Sequence, residues 1–479
     1  MSFAKVSAYT FQNFNTKYNL FYICTKQLRI NKRFNHHYGS PKLSPKEVSS
    51  VLRTNENYRH VNYGSIKSYE TNQLPSNNPI EDRIAIGQCH HTTGTIFGIF
   101  DGHGGTNCVD VISSRLLEYM ALSLLPKKLL KDILENSEDK ITSLIDYLYE
   151  TDLLTSMQKE AHHKSLRQYA LKLLNSDSYK EDFFMNHALS ESFLRMDNDL
   201  SREVREQVVY DQRAIMGAVS GACSCVAHID GSHVHIATLG DCKVVLGALN
   251  DENKWVCKSL TQEHNSDNLE EYKRVLSEHP QSEANKVIRN DRLLGQLAPF
   301  RAFGDFMYKW DMDTQHKYLV PHFGYVVSPS QYLTPPYLTA SPEIIHYRLT
   351  PRDKFLVLAT DGLWDEMLPH KVVKFVGEHM NGNQTLDLLR LPKRNMSLKD
   401  IDHILHTRQV GLTTKPLDKN AATHLIRNAL GRTEYGIEHS RLSTMLTLPD
   451  EIVRNFRDDI SIIVIYLDSD FLRDAPPDN

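Results

Sequence analysis

Apolar residues along this chain gather in short dense runs, and several of those runs end on an acid. Ile96-Phe97-Gly98-Ile99-Phe100 passes directly into Asp101-Gly102-His103-Gly104-Gly105, which predicts a buried strand that stops at a sharp glycine turn. Residues 235–239 lead in the same way to Gly240-Asp241, and residues 354–359 lead to Thr360-Asp361-Gly362. Near the C-terminus the order reverses, with Arg457-Asp458-Asp459 placed before the apolar run 460–467. If that last strand is antiparallel to the others, its start lies on the sheet edge where they end. Four segments then aim carboxylates at one place.

Elsewhere the period lengthens to three and four. Residues 106–125 place Val109, Ile112, Leu116, Leu117, Met120 and Leu124 on one face, predicting an amphipathic helix packed on the sheet just after the glycine turn. Similar patterns predict helices over 183–200, 371–379 and 420–430, and a short acid-rich one over 265–275. Ser44, Pro45 and Glu47 mark a capped helix start that runs to about Arg53. Residues 127–180 read as a helical insertion with Leu166, Tyr169, Ala170 and Leu173 on one face. The adjacent His162 and His163 there point to different faces and read as solvated surface. Residues 222–229 and 233–238 predict two strands joined at Asp230-Gly231, with a third over 243–249.

Three stretches carry no such pattern. Residues 54–78 are polar and turn-rich, so the segment 47–78 is expected to lie as a strap over the sheet. Residues 307–342 hold five prolines and five tyrosines and read as a long loop framing a groove, and 380–419 reads as a loop-rich insert.

Composition changes this picture at one point. The chain of 479 residues is 41% hydrophobic and 24% charged, an ordinary globular balance that one large sandwich with insertions can accommodate. Its net charge of −4 conceals a start, residues 1–46, with eight Lys or Arg and no acid, the composition of an organelle transit segment. The remainder, with a catalytic body over 79–467 and a tail over 468–479, carries a net charge of −12 and is a poor partner for nucleic acid. No apolar run approaches the roughly 20 residues of a membrane span. The seven cysteines form no CxxC pair, and Cys223 and Cys225 read as small core residues in a reducing compartment.

A single strand-end Asp is ordinarily a turn former or helix cap. Four together, with Glu81-Asp82 upstream, repel one another unless cations hold them, and oxygen ligands suit Mg²⁺ or Mn²⁺ rather than Zn²⁺. Two such ions about 3.5–4 Å apart hydrolyse phosphate esters by activating water and clamping phosphoryl oxygens, with no Cys or Ser nucleophile required.

Seven stretches in order, Pro79-Ile80-Glu81-Asp82-Arg83, FDGHGG, SGAC from Ser220, LGDCK from Leu239, RAFGD from Arg301, ATDGLWD from Ala359 and RDDIS from Arg457, resemble the motifs of the metal-dependent type 2C protein phosphatases. Further stretches, among them YGSPKLSPKEV, DRLLGQLAPFRAFGDFMYKW and NAATHLIRNALG, are similar to the mitochondrial branch of that family that acts on pyruvate dehydrogenase. The resemblance implies an α+β fold, an αββα sandwich of two antiparallel sheets flanked by helices. It implies Asp82, Asp101, Asp361 and Asp458 as direct metal ligands, with the Gly102 carbonyl, and Glu81 acting through water. Asp241 and Asp365 match acids of a further, weaker metal site, and Asp305 matches a supporting acid.

His103 matches the family's proposed general acid, the alternative being a histidine that caps the following turn. An arginine that holds the substrate phosphate in many members is replaced here by Asn77, so Arg83 is the nearest candidate for that work. The branch further implies dephosphorylation of the E1α subunit in the mitochondrial matrix, docking to the lipoyl domain of the acetyltransferase core with Ca²⁺ at that interface, and a regulatory subunit. Two rival readings are a phosphatase of another mitochondrial phosphoprotein and a catalytically silent phosphoprotein-binding member of the fold. The silent reading would be favoured by a missing metal carboxylate, and every direct position is filled.

Overall fold

The computed structural model describes residues 42–136, 141, 143–149, 153–175, 185–206, 211–382, 389, 396–413, 416–433 and 436–475. The expected transit segment falls almost wholly outside them. The main strands are β1 (Asn57–Tyr63), β2 (Ile66–Leu74), β3 (Asp82–Cys89), β4 (Thr95–His103), β5 (Ile145–Tyr149) and β6 (Gly221–Asp230). They continue with β7 (His233–Leu239), β8 (Lys243–Leu249), β9 (Trp255–Ser259), β10 (Glu343–Arg348), β11 (Asp353–Ala359) and β12 (Ile460–Leu467). One sheet runs β1-β2-β12-β11-β8-β9; the other runs β10-β7-β6-β4-β3-β5, with the short strand Phe303–Gly304 beside β6. Every pairing is antiparallel.

The central strands β4, β8, β11 and β12 read as nearly unbroken apolar runs because both of their faces are covered. Ile84, Ile86, Phe97, Ile99, Cys223 and Cys225 from one sheet meet Val244, Leu246, Leu356, Leu358, Ile463 and Ile465 from the other. The alternate residues face outward under helices. Phe100 and Ile96 pack with Val109, Ile112, Leu116 and Met120 of helix Asn107–Ser123 and with Leu189, Phe193 and Met196 of helix Met185–Arg205. Val357, Ala359 and Ile462 pack against Val372, Phe375 and Val376 of helix Pro369–Met380 and Leu425 and Ile426 of helix Ala421–Gly431. The expected α+β sandwich of two antiparallel sheets between helical layers is therefore what forms. Each such side chain taken fully out of water contributes roughly 1.5–3 kcal/mol.

Several local expectations need correction. The strap is not a strap: β2 lies between β1 and β12 inside a sheet, its register set by Ile463↔Thr71 and its neighbours. Its sequence, IKSYETNQL, hides this because Ser68, Glu70, Thr71 and Asn72 are polar residues that the fold buries, Glu70 and Asn72 with hydrogen-bond partners from elsewhere in the chain. Asn72 Nδ2, for example, donates to the Leu52 carbonyl at 2.7 Å and to Thr423 Oγ1 at 2.8 Å. The insertion after residue 127 contains strand β5 as well as helices Lys127–Asn136 and Ser156–Asn175. His162 is buried, bonded to Glu118 Oε2 at 2.9 Å and stacked on Tyr119, because the helix carrying it packs against helix Asn107–Ser123. Helices also interrupt the two stretches expected to be loops, at Met312–Tyr318 and at Leu398–Thr413.

Candidate active site

The antiparallel arrangement delivers the acids as the run order implies. Asp82 opens β3 and Asp101 lies near the end of β4, and the two are direct cross-strand partners. Asp361 follows β11 and Asp458 precedes β12, and those strands are paired so that Ala359 faces Ile462. Asp241 follows β7 at the same edge of the sandwich, and Asp365 lies one helical turn beyond Asp361 on the exposed side. Thr360 Oγ1 donates to Asp82 Oδ2 at 2.8 Å and accepts from the Ser461 N–H at 3.0 Å, which links the two sheets at the cluster.

Crowding these groups has an electrostatic cost. Burial, then the charges of Asp361, Asp82, Asp241 and Asp458, pushes Asp101 well above the ordinary carboxylate range. Burial and then Asp458, Asp241 and Asp365 do the same to Asp361, and burial with Asp459 does it to Asp82. Burial also raises Asp458 and Glu81, against the pull of Arg454. A set of oxygen donors pressed together in this way fits hard divalent cations, whose charge removes the repulsion.

Glu81 is brought in by a loop that Asp459 organises. The Asp459 carboxylate accepts from the Ser76 N–H, from the Asn77 N–H and Nδ2 at 2.8 Å each, and from the Glu81 N–H at 2.8 Å. Glu81 Oε1 in turn accepts from the Gly105 N–H at 2.8 Å. Gly104 and Gly105 have φ of +72° and +114°, the left-handed backbone that lets this turn present its amide to the carboxylate.

His103 Nε2 meets Asp305 Oδ2 at 2.6 Å. Burial alone would lower the imidazole pKa, but the Asp305 charge and hydrogen bond outweigh it and the net direction is upward. Asp305 sits in a left-handed conformation, φ +48°, its N–H bonded to the Ser220 carbonyl at 2.9 Å. Gly221 lies beneath the pair: a Cβ there would come within 2.2 Å of Asp305 Oδ2 and 2.3 Å of His103 Nε2.

The two residues expected to bind phosphate do neither of the things that role needs. Asn77 is spent on Asp459, as above. Arg83 Nε bonds Asp110 Oδ1 at 2.8 Å, and its Nη1 donates to the Ile80 and Asp82 carbonyls, so it braces the start of β3 instead. Two residues at the site escaped sequence reasoning. Asp459 was visible only as the second acid of a pair, and Arg454 carried no signal beyond standing four residues before Asp458. Its Nη1 lies 2.8 Å from Asp458 Oδ1 and 3.7 Å from Glu81 Oε2.

Carboxylates converging at one edge of a helix-flanked double sheet suit metal-assisted hydrolysis of phosphate esters. Residues 154–396 match Protein phosphatase 2C. The chain is 39% identical over 452 residues to human pyruvate dehydrogenase (acetyl-transferring) phosphatase 1, mitochondrial, covering 89% of this chain and 83% of that one. It is 39% identical over 453 residues to the human phosphatase 2 of the same name, covering 90% and 84%. A solved serine-threonine phosphatase 2C from Toxoplasma gondii is similar at a TM-score of 0.44 and 16% identity, covering 86% of this chain and 99% of that one. The chain belongs to the protein phosphatase 2C family, a metal-dependent one.

Proposed function

We propose that this chain is a protein serine/threonine phosphatase that dephosphorylates the E1α subunit of pyruvate dehydrogenase in the mitochondrial matrix and so reactivates that complex. The observation that carries the chemistry is the convergence of Asp82, Asp101, Asp361 and Asp458 from four strand ends. The substrate rests on the mitochondrial pyruvate dehydrogenase phosphatases that are 39% identical to it over 452 and 453 aligned residues.

Those four carboxylates, with the Gly102 carbonyl, would hold two Mg²⁺ or Mn²⁺ ions, Glu81 supporting them through water and Asp241 and Asp365 serving a further site. When bound, the ions supply water activation and neutralisation of phosphoryl charge. The chain's own part is then positional. Asp459 fixes the loop that carries Glu81, and Thr360 fixes Asp82. Asp305 holds the His103 ring by Nε2 and favours its charged form, which suits a group that gives a proton to the departing seryl oxygen. Residues 1–46 serve as the targeting segment. Docking to the lipoyl domain of the acetyltransferase core, with Ca²⁺ at that interface, and a regulatory subunit complete the reading.

The test is phosphate release from phosphorylated pyruvate dehydrogenase by the full chain, with Mg²⁺ or Mn²⁺, with chelator, and with and without the acetyltransferase core and Ca²⁺. Metal-dependent release accelerated by the core is the expected result. Release from a generic phosphopeptide but not from this complex would discard the substrate and keep the chemistry; release from neither would discard both.

A further inference from the structure

A phosphoserine is a dianion, and the chain must offer it positive charge beyond the metals. Four direct carboxylates and two divalent ions sum to zero, so the centre by itself has no excess charge with which to draw the substrate in. Most arginines and lysines near this edge are already engaged. Arg83 is paired with Asp110, and Arg301 is held by both oxygens of Glu271 and by the Ser341 carbonyl. Lys243 is paired with Glu263 at 2.7 Å, and Arg457 is turned inward onto Ser76 Oγ.

Arg454 differs from these. It follows the short helix Asp450–Val453, and its side chain remains 38% exposed while one terminal nitrogen reaches the cluster. Both of its carboxylate contacts, Asp458 and Glu81, use that nitrogen, Nη1. Those two carboxylates are the ones whose charge a bound cation would take up, Asp458 directly and Glu81 through water. With Asp458 and Glu81 so neutralised, Arg454 would lose much of the attraction that holds it to them while staying beside the cluster.

We propose that Arg454 binds the phosphoryl group of the substrate, in place of the arginine that this chain replaces with Asn77. The inference rests on the phosphatase reading above. A guanidinium offers parallel N–H donors in a rigid fork that matches two phosphoryl oxygens, and it stays charged at any working pH. Its location between the Asp458 carboxylate and solvent would place that fork within reach of a phosphoryl group bound at the carboxylates.

The experiment compares Arg454→Gln and Arg454→Lys with the wild-type chain, all loaded with Mn²⁺. Inorganic phosphate is titrated in by calorimetry, KM and kcat are measured on a phosphoserine peptide, and Mn²⁺ affinity is measured separately. Loss of a charge-assisted pair should weaken phosphate binding and raise KM together, by roughly 10- to 100-fold for Gln, with a smaller change in kcat. Lys should recover part of the loss, having the charge without the fork. Mn²⁺ affinity should stay the same or increase, since a competing cation is gone. Unchanged phosphate affinity in both variants, or a loss of Mn²⁺ affinity that accounts for the whole effect, would make Arg454 a counter-ion of Asp458 and overturn the proposal. Phosphate titration needs no turnover, so a failure of the phosphatase reading would appear separately, as a wild-type chain that binds phosphate without releasing it from any phosphoprotein.

Discussion

Gly221 shows how one missing side chain is spent at the site. A methyl group there would drive into the His103–Asp305 pair from below. Gly221→Ala should therefore lower kcat by displacing His103, and should cost about 1–3 kcal/mol of stability through overpacking. Parallel kinetics and thermal melts check this, and a variant with wild-type kcat would mean that the pair is not held where the reaction needs it. Asp361→Asn has the opposite signature. It removes a carboxylate proposed as a direct metal ligand, and since losing even an indirect supporting partner costs about 10- to 100-fold, turnover should fall by more than about 100-fold. The same change relieves repulsion from Asp101 and Asp458, so in chelator the variant should melt no lower than wild type. A variant that melts well below wild type in chelator would contradict the like-charge account. At this scale the acids could be read from the sequence because each ends or begins an apolar run. Arg454 and the scaffold role of Asp459 could not, since neither belongs to a pattern of period two or period 3.6.

Among the elements, β2 departs furthest from its pattern. Its neighbours β11 and β12 are legible as apolar runs, whereas β2 buries a polar face under helix Ala421–Gly431. Glu70 Oε2 accepts from the Ala421 N–H and from Tyr466 Oη at 3.0 Å, and Asn72 ties the end of helix Pro45–Leu52 to Thr423. Three of these four partners lie 351 to 396 residues away in the chain, so no local window can reveal the face. Asn72→Ala leaves a buried carbonyl and a buried hydroxyl without this donor and should cost about 1–3 kcal/mol, read as a lower urea midpoint at unchanged slope. A cost near zero would mean that β2 is held by its ladder alone.

For the whole molecule, acid is the informative stress. His424 is buried beneath helix Pro369–Met380, and burial followed by the charge of His379 lowers its pKa to about 4, against Asp418 pulling upward. Its folded value lies below its unfolded one, so the stability it contributes is present above about pH 6.5 and is lost as pH falls toward 4. Glu271 acts in a lower window. Burial would raise it, but Arg301 and Arg274 outweigh that and hold it at about 2, so its contribution persists down to about pH 4.5 and is lost below. Thermal melts from pH 7 to 3 should show both declines, with His424→Gln flattening the upper one; an unchanged slope in that variant would assign the upper window to another group. The strands that carry carboxylates and the helices that cover them could be read from the chain because they follow from periodicity, and the class of chemistry followed from like charges that need cations. Only the assembled fold shows which polar residues are buried, that Arg454 pairs with Asp458 and Glu81, and that Asp459 organises the loop before β3. Those arrangements depend on partners from distant parts of the chain, and burial and charge are properties of the assembled neighbourhood.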